Sequence, residues 1–131
     1  MGKVLPFDRP RNILGTALKS CCTSPMTGFF RDGFCRTNDM DVGTHTVCAV
    51  MTEAFLDFSK SRGNDLSTPR PEFQFPGLKE GDCWCLCALR WKEAFDAGCA
   101  PHLKPESTHQ KTLDLIKLSD MKPFFLVDQS C

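Results

Sequence analysis

Apolar and polar positions alternate with a period of two over residues 83–88. Cys83, Cys85 and Cys87 fall on one side; Trp84, Leu86 and Ala88 fall on the other. That is the signature of a strand with two unlike faces. Residues 45–51, His45-Thr46-Val47-Cys48-Ala49-Val50-Met51, are rich in β-branched and small apolar side chains. They predict a buried strand or the run-in to a helix. The period then changes. Met51, Phe55 and Phe58 stand at i, i+4 and i+7, one apolar face of a helix. Thr52 is placed to cap it, Glu53 suits the positive end of its dipole, and Gly63 suits the C′ position. Trp91, Ala94 and Phe95 predict a second helix that Gly98 ends. Thr108 is placed to cap a short third helix through Leu113. Residues 114–118 and 124–127 predict short strands. The whole predicts an α+β domain with about three helices and a small mixed or antiparallel sheet, its strand order left open.

Two stretches lack a period. Residues 20–44 carry Ser24-Pro25, Thr27-Gly28 and Asp32-Gly33, all turn signals. Phe29, Phe30 and Phe34 flank Asp32-Gly33, which predicts a hairpin tip anchored on the core by its phenylalanines. Residues 63–82 hold Gly63, Pro69, Pro71, Pro76, Gly77 and Gly81. Loops of that length are uncommon and often functional. Phe73, Phe75 and Leu78 can pin it, so the expectation is an ordered loop lining the main pocket, with Asn64, Asp65 and Arg70 as its polar groups. Phe75-Pro76 is the candidate for a cis bond. With Pro6 and Pro10, residues 1–12 read as an extended arm before a globular core at 13–127, all one domain over 1–131.

Composition narrows the partners. The chain has 131 residues with 16 basic and 16 acidic side chains, so its formal charge is zero. Nucleic-acid grooves need clustered Lys and Arg. The densest basic cluster, Arg9 to Arg11, sits in the Pro-bearing arm, so a nucleic-acid partner is not expected. No stretch approaches the apolar length that spans a bilayer, so no membrane partner is expected either. Met1 to Pro6 lack the apolar run of a leader peptide, and the expected location is cytoplasmic. That expectation governs the nine cysteines. An odd count in a reducing compartment predicts reduced thiols, some buried or metal-bound.

Four strings stand out: Pro25-Met26-Thr27-Gly28-Phe29-Phe30-Arg31-Asp32-Gly33, His45-Thr46-Val47-Cys48-Ala49, Gly63-Asn64-Asp65-Leu66-Ser67-Thr68-Pro69, and Trp84-Cys85-Leu86-Cys87-Ala88. Together they resemble a family of small bacterial and eukaryotic proteins known as a domain of unknown function. The resemblance runs from about Asn12 to Leu118. It implies family cysteines at Cys21, Cys35, Cys48, Cys85 and Cys87, and family histidines at His45 and His109. Phe30 stands where the family has Tyr. Cys22, Cys83, Cys99 and Cys131 are additions. The resemblance implies no activity, ligand or fold.

The candidate chemistry lies in Cys85-x-Cys87 together with His45-x-x-Cys48, with Cys35 as a further sulfur. Thiolates and imidazole suit zinc in a tetrahedral site. The same residues suit a reactive thiol with His45 as its base. Buried structural thiols are the plain alternative, because free Cys packs as a small hydrophobe. On a regular strand His45 and Cys48 point to opposite faces, so a shared site needs a turn or a helix there. Arg31 and Asp32 are candidate ligand groups, an anion clamp at a pocket mouth, or simply turn residues. Asn64, Asp65 and Arg70 divide in the same way. Two classes stay open: a Cys/His-site protein, metal-binding or thiol-based, and a non-catalytic domain whose 63–82 loop binds a small molecule or a protein.

Overall fold

The fold is described from a computed structural model, and residues 10–126 are the ones it places. Strand β1 spans His45–Val50, β2 spans Cys83–Cys87 and β3 spans His102–Leu103. They form one antiparallel sheet in the order β2-β1-β3. Helix α1 (Glu53–Ser61) follows β1, α2 (Ala88–Asp96) follows β2, and the short α3 (Leu118–Met121) comes late. The expected α+β architecture, with three helices and an antiparallel sheet, is what the chain adopts.

Local chemistry explains the helices. Thr52 Oγ1 accepts from the Phe55 N–H at 3.1 Å, which satisfies one orphan donor of α1. Gly63, at φ 88, ends that helix, and Gly98, at φ 78, ends α2. The predicted helix after Thr108 is instead a 3-10 turn over Gln110–Asp114, capped by the His109 side chain. Thr108 is occupied elsewhere, in the sheet. The strands expected at 114–118 and 124–127 do not form among the described residues. Leu118 opens α3, and Phe125 makes only a single bridge to Leu103.

The sheet separates two cores. Val47, Ala49 and Leu86 point toward the helices, where Phe55, Leu56, Trp91, Ala94 and Met121 are buried with them. Trp91 is fully buried, stacks on Phe95, and donates its Nε1–H to the Pro101 carbonyl at 3.0 Å. Such a partner is what a buried indole requires. The opposite face packs Cys48, Val50, Cys83 and Cys85 against Cys21, Cys22 and Cys35. Six of the seven buried residues of this second core are cysteines.

The predicted hairpin over Phe29–Phe34 is absent. The segment is a run of turns closed by the Arg31 N–H on the Gly28 carbonyl and the Gly33 N–H on the Thr27 carbonyl, both at 2.9 Å, and Thr27 Oγ1 accepts from the Cys85 N–H at 2.8 Å. A side chain therefore closes the free edge of β2. Phe29 and Phe30 are 40% and 39% exposed and do not anchor on the core. The cis peptide is Ser24-Pro25, not Phe75-Pro76. Of the expected N-terminal arm, residues 1–9 lie outside the described residues. Asn12 is buried, and its amide group bonds to Thr16, Ala17 and Glu106.

Candidate functional site

The pairing of β1 with β2 sets the site. Cys48 is opposite Cys85, Val47 is opposite Leu86, and His45 is opposite Cys87. Thr46 is the extra residue of a bulge between the last two pairs. The bulge supplies the break that H-x-x-C needed. Residues directly opposite each other share a face, and Cys85 and Cys87 share one by alternation. His45 and Cys48 therefore lie on the same face.

Both opposed pairs on that face, Cys48 with Cys85 and His45 with Cys87, are close. The Cys48 N–H goes to Thr108 Oγ1 at 3.1 Å and the Cys85 N–H to Thr27 Oγ1 at 2.8 Å. Neither bonds across the ladder, so Cys48 and Cys85 form the narrow kind of antiparallel pair, in which side chains lie nearest. The Ala88 N–H bonds the Thr44 carbonyl at 2.9 Å, which marks His45 and Cys87 as a narrow pair too.

The expectation of reduced thiols is corrected here. Cys21 bridges to Cys48 and Cys35 to Cys85, with Cα separations of 5.7 and 5.2 Å, inside the range that disulfides span. Cys83 is likewise disulfide-bonded. The turn-rich segment 20–35 lies against the cysteine face, where the Cys21 N–H bonds the Gly33 carbonyl at 2.6 Å, and this brings the distant sulfurs together. Among the described residues, Cys22, Cys87 and Cys99 are free. Only Cys87 of these is also a family-pattern position.

Asp41 is the residue that sequence reasoning missed. Its side chain is buried, and its Oδ1 lies 2.7 Å from His45 Nδ1. Asp41 Oδ2 accepts from the His45 N–H at 2.9 Å and from the Thr37 hydroxyl at 2.9 Å. Burial pushes this carboxyl up, but the donors from His45 and Thr37 outweigh it and hold it below its ordinary value. An ionised carboxylate only accepts, so Nδ1 of His45 carries the proton. In the neutral ring Nε2 then keeps its lone pair. Gly43 lies against the imidazole; a Cβ there would come within 2.5 Å of the ring. The signal for Asp41 was present only as an acidic residue one turn before His45.

His45 also lines a cavity of about 290 Å³ with Gly28, Phe29, Arg31, Leu66, Trp84 and Cys85. The Arg31 guanidinium lies 5.2 Å from the Trp84 ring centroid. Asp32 is not among the lining residues and pairs with Arg36 at 2.6 Å. The remaining candidates take structural places. Asp65 accepts from Ser67 and Thr68 in a tight turn. Asn64 receives the Ser59 hydroxyl on its carbonyl. Arg70 bridges to Phe75 through its backbone. None of these three lines this cavity, the open 510 Å³ depression beside α2, or the 400 Å³ groove along residues 76–79.

No helix among the described residues is long and apolar enough to cross a membrane. A search of curated proteins gives no match. A family model described as an uncharacterized protein conserved in bacteria (DUF2237) matches residues 11–125. Those residues hold both strands of the cysteine face, Asp41 and His45. The match spans most of the chain, and the protein belongs to the DUF2237 family.

Proposed function

We propose that this protein is a thiol-based Cys/His-site protein in which Cys87 is the nucleophile, His45 its base and Asp41 the group that orients the base. The observation that carries the reading is the pairing of a buried Asp41 with a partly exposed His45, which stands on the strand position directly opposite a free, half-buried cysteine. Asp41 fixes the tautomer, so His45 Nε2 is the nitrogen left to accept the thiol proton. Cys87 stands at the N-cap of α2, where the helix dipole favours a developing thiolate. The sulfur then bonds an electrophilic carbon of the ligand, and the leaving group departs with its electron pair and takes the proton back from His45. Arg31, beside Phe29, Leu66 and Trp84, suits a small anionic ligand with an apolar part.

Alkylation read residue by residue in the mass spectrometer tests this on the oxidised protein, without touching the disulfides. Cys87 is expected to outpace Cys99, and to prefer iodoacetate to iodoacetamide through Arg31. His45→Gln is expected to slow Cys87 on the order of 10²-fold, the lower end of what a positioned base contributes. Equal rates at Cys87 and Cys99, unchanged by His45→Gln, would remove the proposal.

A second reading, non-catalytic binding by the 63–82 loop, has one observation in its favour. Ser67, Pro76, Gly77, Leu78, Lys79 and Asp82 border the 400 Å³ groove. Inert thiols, together with a ligand that protects these residues from hydrogen exchange, would favour it.

A further inference from the structure

In the second core, which also contains the disulfide-bonded Cys83, the two bridges with both partners among the described residues lie side by side. The Sγ atoms of Cys21, Cys35 and Cys85 all lie within 4.8 Å of one another, although Cys21 belongs to one bridge and the other two to its neighbour. The fourth sulfur, on Cys48, is bonded to Cys21 and projects from the strand position opposite Cys85. Two sulfurs thus come from neighbouring strands and two from the 20–35 segment laid over them. All four residues are at most 3% exposed.

From this arrangement we infer that the reduced protein carries a tetrathiolate site for a divalent metal of the zinc class, made by Cys21, Cys35, Cys48 and Cys85. Metal–sulfur bonds of about 2.3 Å set tetrahedral sulfurs about 3.8 Å apart. The Cys21 sulfur already lies within 4.8 Å of those of Cys35 and Cys85, and the Cys48 sulfur, outside that group, has to turn inward to join them. Reduction needs two electrons and two protons per bridge, supplied by a dithiol or phosphine. It releases each bonded pair to move outward by side-chain rotation. Metal binding then displaces four thiol protons. Four buried protein ligands, which leave no coordination position for a substrate, describe a structural site rather than a catalytic one. The anionic centre would have a cation beside it, since Lys104 Nζ donates to the Cys21 carbonyl at 3.1 Å.

The set differs from the sequence expectation in three ways. His45 is engaged by Asp41, Cys87 lies two pairs further along the strands, and Cys21 enters as a ligand. The inference does not rest on the reactivity proposed for Cys87, and the two can fail separately. The disulfide state and the metal state exclude each other, because the same four sulfurs make both.

Cobalt(II) titration of the full chain, reduced with a phosphine under anaerobic conditions, tests the site. The expected result is one equivalent taken up with the intense visible bands of tetrahedral thiolate coordination. Zinc should displace it, and reoxidation should abolish it. Cys87→Ser should leave uptake unchanged. Cys21→Ser, which alters a loop ligand and spares both strands, should lose the tetrahedral spectrum. Circular dichroism on each sample shows whether the fold persists. Failure of the reduced wild-type chain to take up cobalt, folded or not, would overturn the inference. So would a six-coordinate spectrum, or a tetrahedral one that survives Cys21→Ser.

Discussion

Replacing Asp41 by Asn tests the buried carboxylate that orients His45. Three donors converge on this buried carboxylate: the His45 ring, the His45 N–H and the Thr37 hydroxyl. Hydrogen bonds to a charged group contribute about 1.5–3 kcal/mol each. Asn keeps one acceptor oxygen but turns an NH₂ group toward at least one donor. The expected loss at neutral pH is therefore about 2–4 kcal/mol, one or two such bonds plus a buried donor left unmet. In a domain of this size that lowers Tm by roughly 10 °C. The pH dependence has a definite sign. Folding depresses the Asp41 pKa, so its contribution is present above the unfolded carboxyl value of about 3.9 and is lost as pH falls through the folded value. The Asp41→Asn variant has no such titration. Urea melts of both proteins at several pH values, with the disulfides intact, should show a wide gap near neutrality that narrows in acid. A gap below about 0.5 kcal/mol at neutral pH, or one that stays constant into acid, would refute the reasoning.

Three further outcomes follow from other parts of the structure. Gly28→Ala places a Cβ against the Phe34 carbonyl at φ 104, and should destabilise by about 2 kcal/mol or more in the same melts. Cys35 and Cys85 are 50 residues apart, so replacing both with Ala should cost about 4 kcal/mol of chain-entropy stabilisation; a loss under about 1 kcal/mol would count against a constraint of that kind. Burial first, and then Lys111, depresses the His109 pKa, while its Nδ1 accepts from the Lys111 N–H at 2.9 Å. Stability should therefore fall as pH drops below the ordinary imidazole value of about 6.5, and His109→Asn should flatten that slope.

The parts of the fold legible in sequence are those written in local chemistry. Thr52 and Gly63 bracket α1, and the alternation at 83–87 is the two-faced strand it predicted. Strand β3 was not legible, because His102–Leu103 is two residues long and exists through pairing with β1. The 3-10 turn after His109 replaced the predicted helix because Thr108 bonds into the sheet, a tertiary demand that outweighs local capping. Strand alternation placed Cys85 and Cys87 on one face, and the joint H-x-x-C and C-x-C candidate grouped Cys48 with them. Their oxidation state was not legible, because it depends on where the 20–35 segment lies, and turn residues carry no address. The same holds for Asp41, which becomes a site residue only when burial strips it of water. Arg31 meets the cavity through Trp84, whereas Asp32 meets Arg36; sequence left the two equivalent.

The bulge at Thr46 has a consequence for how relatives of this site should be searched for. Strand positions count in twos, so an odd insertion normally exchanges inside for outside. Here the inserted residue is absorbed locally, and His45 lies against the partner strand as though one residue fewer separated it from Cys48. A homologue that lost this residue would read H-x-C where this chain reads H-x-x-C, and would keep the same constellation. A search template with fixed spacing would reject it as divergent. A template that holds the opposing C-x-C constant and lets the histidine slide by one would recognise both as the same architecture, separated by a single codon deletion.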